Sequence, residues 1–124
     1  MAHEIEMSED GVLRVRFIGN VDREDAEAYL GEYQRYLQDT EPGKPLHFLV
    51  DATDLGKFSA AARKLWIDAF RDPDPRIGNT ALVGASRYVR VLSGFVLKAV
   101  GRENVKLFAT EKEALAWLAS GDRS

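Results

Sequence analysis

The segment VLRVRFIG (Val12 to Gly19) alternates apolar and charged positions, with Leu13, Val15 and Phe17 on one side and Arg14 and Arg16 on the other. That period of two predicts a half-buried strand. HEIEM stands before it across SEDG, whose Asp10-Gly11 pair is a turn signal, so the opening predicts an antiparallel pair. From Val21 the period changes to that of a helix: VDREDAEAYLGEYQRYLQDT spaces Ala26, Tyr29, Leu30, Tyr33 and Leu37 along one face, behind Asp22 as N-cap and Asp25 in the first turn. EPGKP ends it. LHFLVD (Leu46 to Asp51) is apolar on both faces, as an interior parallel strand is. A second helix over Ser59 to Arg71 places Ala62, Leu65, Trp66, Ala69 and Phe70 on one stripe, and DPDPR follows as a loop. The strand NTALVG (Asn79 to Gly84), a helix from about Ser86 to Val100, the strand NVKLFA and a last helix in TEKEALAWLASG complete the pattern. That last helix carries a capping box, Thr110 with Glu113, and Gly121 as its stop.

Strands and helices alternate after the first pair, which predicts an α/β fold with right-handed crossovers. The expected sheet is mixed and of about five strands, an N-terminal antiparallel pair followed by parallel strands, the last three parallel to one another, packed with about four helices. The 124 residues suit a single domain over 1–124. Leu13, Val15, Phe17, Phe48, Val50, Leu65, Trp66, Leu82, Leu107, Trp117 and Leu118 are the expected core.

Charge and composition narrow the function classes. A net charge of −3 and a pI near 5.4 argue against a protein that binds nucleic acid by neutralising phosphates. The chain has no cysteine, which removes disulfides, thiolate metal sites and cysteine nucleophiles together. MAHEIEMSEDG lacks the basic start and apolar centre of a signal peptide, and no apolar run approaches the roughly 20 residues of a transmembrane span. A cytoplasmic protein of bacterial or archaeal style, without a transmembrane segment, is the expectation.

This order of elements, with LHFLVDATDLGKFS entering the second helix and VKLFATEKEALAWL closing the chain, resembles the small bacterial SpoIIAA-like proteins of the STAS superfamily, over essentially the whole chain. The resemblance implies a SpoIIAA-like fold, related to that of CRAL-TRIO lipid-transfer domains, and a regulatory or binding role. In the anti-sigma-factor antagonists of that superfamily a serine in a D-S-x-G-like turn at the head of the second helix is phosphorylated. Counted from Asp51 without gaps, Ser59 falls on the family's capping acid, Ala60 on the phosphorylated serine and Ala62 on the glycine. A one-residue shift puts Ser59 on the phosphosite but leaves Ala61 where the glycine belongs. The motif is absent, so Ser59 reads as an N-cap and not as a phosphosite.

Other polar residues point to structure before chemistry. Asp51 and Asp54 follow an apolar strand at the end where α/β sheets place ligands, yet a turn whose backbone N–H groups bond these carboxylates accounts for them more simply. His47 lies inside a strand and reads as a structural imidazole; His3 lies near a terminus expected to be mobile. Gly84 and Ser86 sit between strand and helix without the glycines of a phosphate loop, and Ser86 reads as a cap. No nucleophile–base pair or metal-ligand spacing is present, so neither catalytic residues, metal nor cofactor is expected.

The helix from Ser86 to Val100 is the unusual element. Arg87, Arg90, Gly94 and Lys98 fall on a narrow stripe at about 100° per residue, and apolar residues fill nearly all the rest. That arc is wider than packing on one sheet face requires. With Leu92, Val96 and Ala99 turned to the sheet, Tyr88, Val91 and Phe95 remain as a shoulder beside Arg87, Arg90 and Lys98. Gly94, costly inside a helix by about 1 kcal/mol, suggests that something approaches closely. Neighbouring helices covering the shoulder, self-association, and a basic-rimmed surface for lipid or membrane are three readings of it. The function expected is a non-catalytic regulatory or binding module that contacts a protein partner or a second copy as a homodimer. The alternative is a carrier or sensor of an apolar or acyl ligand, or a membrane-surface contact module. Nucleic acid is not expected among its partners.

Overall fold

The computed structural model describes residues 3–40, 43–71, 75–100 and 104–120; within the third helix, side chains are described at positions 87–91, 94 and 98. Nine elements follow in the order β1 (His3–Met7), β2 (Val12–Val21), α1 (Arg23–Gln38), β3 (Leu46–Phe58), α2 (Ala60–Phe70), β4 (Ile77–Val83), α3 (Arg87–Val100), β5 (Val105–Phe108) and α4 (Glu111–Ser120). The strands form one sheet in the order β1-β2-β3-β4-β5. β1 and β2 are antiparallel, in the register Ile5 opposite Val15, and the pairs β2–β3, β3–β4 and β4–β5 are all parallel. Four strands therefore run together, one more than expected, because α1 carries the chain back to pair β3 alongside β2.

The alternation read from the sequence decides the two faces. Leu13, Val15 and Phe17 of β2 and Phe48 of β3 point into a core shared with Ala26, Tyr29, Tyr33 and Leu37 of α1 and Ala62 of α2. Trp66 ties these elements together, stacked on Tyr29 at 5.0 Å between ring centroids and meeting Phe17 and Phe58 edge-on at 5.6 and 5.3 Å. α3 packs on this same face through Val89, against Ala52 and Leu82. The opposite face holds α4 alone, with Ala114, Trp117 and Leu118 over Val12, Leu49 and Ala81. That face also sets charges opposite one another across β1 and β2, Glu4 opposite Arg16 and Glu6 opposite Arg14, and Arg14 reaches Glu111 at the start of α4. Such exposed cross-strand pairs contribute roughly 0–1 kcal/mol each, and the charges also keep the uncovered surface from acting as a sticky one.

Caps set the helix starts. Asp22 and Asp25 form a reciprocal capping box on α1, each carboxylate accepting the other's backbone N–H at 2.9 and 3.1 Å. Ser59 Oγ accepts the Ala62 N–H at 3.1 Å and caps α2 as expected. Thr110 Oγ1 accepts the Glu113 N–H at 3.2 Å and donates to the Glu113 carboxylate at 3.0 Å; Gly121 lies outside the described residues.

Four expectations need correction. β3 does not stop at Asp51 but runs to Phe58, because Asp54, Leu55 and Phe58 pair onward with Ile18, Gly19 and Val21 past irregularities in register, where Asn20 Oδ1 accepts the Lys57 N–H at 2.9 Å. Leu107 is 40% exposed, since β5 is the sheet edge and has a strand neighbour on one side only. Ala69 is exposed and Val50, Leu65 and Trp66 are half-buried, while Leu13, Val15, Phe17, Phe48, Leu82, Trp117 and Leu118 are buried. His3 is not at a loose end: it is 2% exposed, its Nε2 lies 3.1 Å from Glu32 Oε1, and its ring meets Tyr29 edge-on at 5.4 Å.

Candidate functional site

The corner between β4 and α3 is determined by four residues. Gly84 takes φ +75, in the left-handed region where a side chain is strained. A Cβ there would also lie 3.1 Å from the backbone Cα and N of Thr53 and collide with the Thr53 hydroxyl. Thr53 is held in turn by Asp51, whose Oδ1 accepts its N–H at 2.9 Å and its hydroxyl at 2.6 Å. Two residues beyond the glycine, Ser86 Oγ accepts the Val89 N–H at 3.2 Å and starts α3 as a cap. Asp51 thus serves the corner as a local hydrogen-bond acceptor, in keeping with its sequence reading. Asp54 departs from that reading: it pairs with Arg16, which also reaches Glu4 at 3.5 Å, and the carboxylate pushes the guanidinium pKa further up. His47 Nδ1 accepts the Asn79 N–H at 2.9 Å, which places that ring in a structural role.

Val89, 2% exposed, sets the rotation of α3. With that position turned to the sheet, Arg87, Tyr88, Arg90, Val91, Gly94 and Lys98 are exposed, Tyr88 at 40% and Val91 at 69%. The rows Arg87–Val91–Gly94–Lys98 and Arg87–Arg90–Gly94 run at helical spacings of three and four, so cations and apolar groups interleave on one surface. Phe95, with Leu92, Val96 and Ala99, falls outside the described side chains. At Gly94, apart from its own helix backbone and chain neighbours, no atom of the described residues lies within 4 Å of a Cβ built there.

Arg87, Arg90 and Lys98 make no ion pair among the described residues, whereas Arg14, Arg16, Arg23 and Arg71 each pair with a carboxylate. α2 lies beside α3 and exposes Arg63 and Lys64, a contribution the sequence reading missed. A running charge count would have found it: from Lys57 to Lys98 the chain has eight lysines and arginines against three acids. Among the described residues no group of three or more His, Cys, Asp or Glu is placed to hold a metal ion, and no helix is long and apolar enough to cross a membrane.

Solved structures share this architecture. An uncharacterized protein with a SpoIIAA-like fold from Shewanella loihica superposes with a TM-score of 0.72 at 22% identity, over 94% of this chain and 92% of that one. The unphosphorylated anti-sigma factor antagonist SpoIIAA superposes at 0.69 and 18% identity, over 95% and 98%. A protein of Thermotoga maritima described as a putative anti-sigma factor antagonist gives 0.67 and 19%, over 94% and 93%. No protein with a curated description matches the chain. The SpoIIAA-like family model matches residues 12–119, the region that spans β2 to α4, and the chain belongs to the SpoIIAA-like family.

Proposed function

We propose that this protein is a non-catalytic regulatory module that works by binding another protein through the exposed surface of α3, with Arg87, Tyr88, Arg90, Val91, Phe95 and Lys98 as its contact residues. The observation that carries the reading is Val91, 69% in solvent beside a 40% exposed Tyr88, on a helix whose rotation is fixed by a buried Val89. Large apolar groups left in water within a rim of unpaired cations are typical of a surface completed by a partner. Fold likeness to anti-sigma factor antagonists supports regulation by protein contact, as an analogy of architecture. Ser59 acts as a helix cap and not as a phosphate switch; its hydroxyl is engaged with the Ala62 N–H and the residues that follow it, Ala60 and Ala61, lack the motif.

Native mass spectrometry of tagged protein isolated from its source cells tests the reading, with Val91→Asp as the comparison. A bound polypeptide in the parent and bare protein in the variant is the expected result. The same species in both would remove the contact role of α3, and a retained acyl lipid in place of a polypeptide would replace it with a carrier role.

A further inference from the structure

We infer that the α3 surface takes an acidic partner protein, one that presents carboxylates around an apolar anchor, and is not the two-fold contact of a homodimer; this rests on the reading of α3 as a contact surface. Charge is segregated along the chain: the eight cations and three acids of Lys57 to Lys98 contrast with nine cations and seventeen acids in the remainder. On α2 and α3 Arg63, Lys64, Arg87, Arg90 and Lys98 are all exposed and have no ion-pair partner among the described residues. The acid described there, Asp68, is taken by Arg71 at 3.3 Å. An acidic protein thus carries one locally cationic side that the carboxylates of the described residues leave unpaired, which is the charge complement of an anionic surface.

A symmetric second copy is a poor match. Two-fold pairing along α3 brings a surface against itself, so the row of Arg87, Arg90 and Lys98 would meet the same cationic row of the second copy with no acid of that helix between them. A membrane is a poorer match than a protein for a different reason. A helix lying on lipid keeps a continuous apolar face free for the acyl region, whereas α3 commits Val89 to the sheet and places Val91 between Arg87 and Lys98 on its exposed row. Gly94 adds steric room: with nothing of the described residues outside its own helix backbone within 4 Å of a Cβ there, a partner backbone can come close between Val91 and Lys98. Tyr88 and Val91 then receive the apolar anchor and the flanking cations its carboxylates.

The test is selection of a displayed library of random 16-residue peptides on the intact protein, followed by affinity measurement on the parent and on Val91→Asp, Arg87→Gln/Arg90→Gln and Arg87→Glu/Arg90→Glu, each first checked by circular dichroism. Vesicles of phosphatidylcholine with and without phosphatidylserine form a parallel arm. The expected peptides are rich in Asp and Glu around one or two large apolar residues, lose at least tenfold in affinity on Val91→Asp and on charge reversal, lose less on the glutamine pair, and weaken as salt is raised. Peptides that depend on Val91 but are neutral or basic overturn the acidic partner while leaving α3 a contact surface. Peptides indifferent to all three variants, or none at all, overturn both. Vesicle binding that charge reversal abolishes, without any Val91-dependent peptide, assigns the surface to lipid and also overturns the inference.

Discussion

Gly84→Ala perturbs the corner that sets α3 on the sheet, and two costs combine there. The left-handed backbone at φ +75 disfavours any Cβ by about 1–2 kcal/mol. The new methyl also lies 3.1 Å from two backbone atoms of Thr53 and closer still to its hydroxyl; overpacking of this kind costs about 1–3 kcal/mol. Reduced freedom of the unfolded chain returns about 0.4–1 kcal/mol, so the expected net loss is about 1–4.6 kcal/mol. Gly11→Ala is the internal control: its φ is +80 in the β1–β2 turn, but a Cβ there meets nothing within 4 Å, so only the backbone cost applies. Its net loss should be about 0–1.6 kcal/mol. Urea unfolding followed by the fluorescence of Trp66 and Trp117 measures both. Thr53→Ala in the Gly84→Ala background should recover part of the loss by removing the hydroxyl, though not all, since the backbone contacts stay. Equal losses for Gly84→Ala and Gly11→Ala would refute the packed corner.

Other outcomes follow from the same geometry. Ser59→Ala should cost about 0.5–2 kcal/mol by urea unfolding, while Ser59→Asp, also a good cap, should stay within a few tenths of the parent. Trp66→Ala should cost about 3–5 kcal/mol, because the ring joins β2, β3, α1 and α2; a loss under about 1 kcal/mol would contradict that role. Arg16→Ala should cost under about 1 kcal/mol despite its two acidic partners, as the network is exposed. Asp22 and Asp10 are held below the ordinary carboxylate range, Asp22 chiefly by the Asp25 backbone N–H and Asp10 chiefly by the Ser8 hydroxyl. A depressed folded pKa contributes stability present above the unfolded value, near pH 4, and lost as pH falls through the folded one. Asp22→Asn should therefore flatten the acid limb of the stability curve below about pH 4, measured by thermal unfolding against pH.

Period and capping chemistry made most of the fold legible. The alternation in VLRVRFIG named the buried side of β2 outright, and Asp22, Ser59, Ser86 and Thr110 each marked a helix start by a side chain that bonds the first turn. What was not legible depended on partners distant in sequence. The stretch ATDLGKF looks like a turn on its own, and becomes strand only because Ile18 to Val21 and the Asn20 amide supply its hydrogen bonds. His3 gains its buried place from Glu32 and Tyr29 on α1, some thirty residues away. Leu107 reads as core by type, and edge position is a property of sheet order, which no local window contains. The exposed stripe of α3 was visible as a surplus of apolar arc, but its anchoring rotation came from Val89 against Leu82 and Ala52. The cations of α2 stand out in a running charge count, but their place beside α3 follows only from the packing of the two helices.

Site-specific photocrosslinking in cells tests the role of α3 most directly. The photoreactive residue p-benzoylphenylalanine is placed at Val91, and at the exposed Gln34 of α1 as a control. The account predicts a covalent adduct with another polypeptide from position 91, none from position 34, and loss of the adduct when Arg87 and Arg90 are both changed to glutamate. No polypeptide adduct at position 91, or an equal one at position 34, would contradict it.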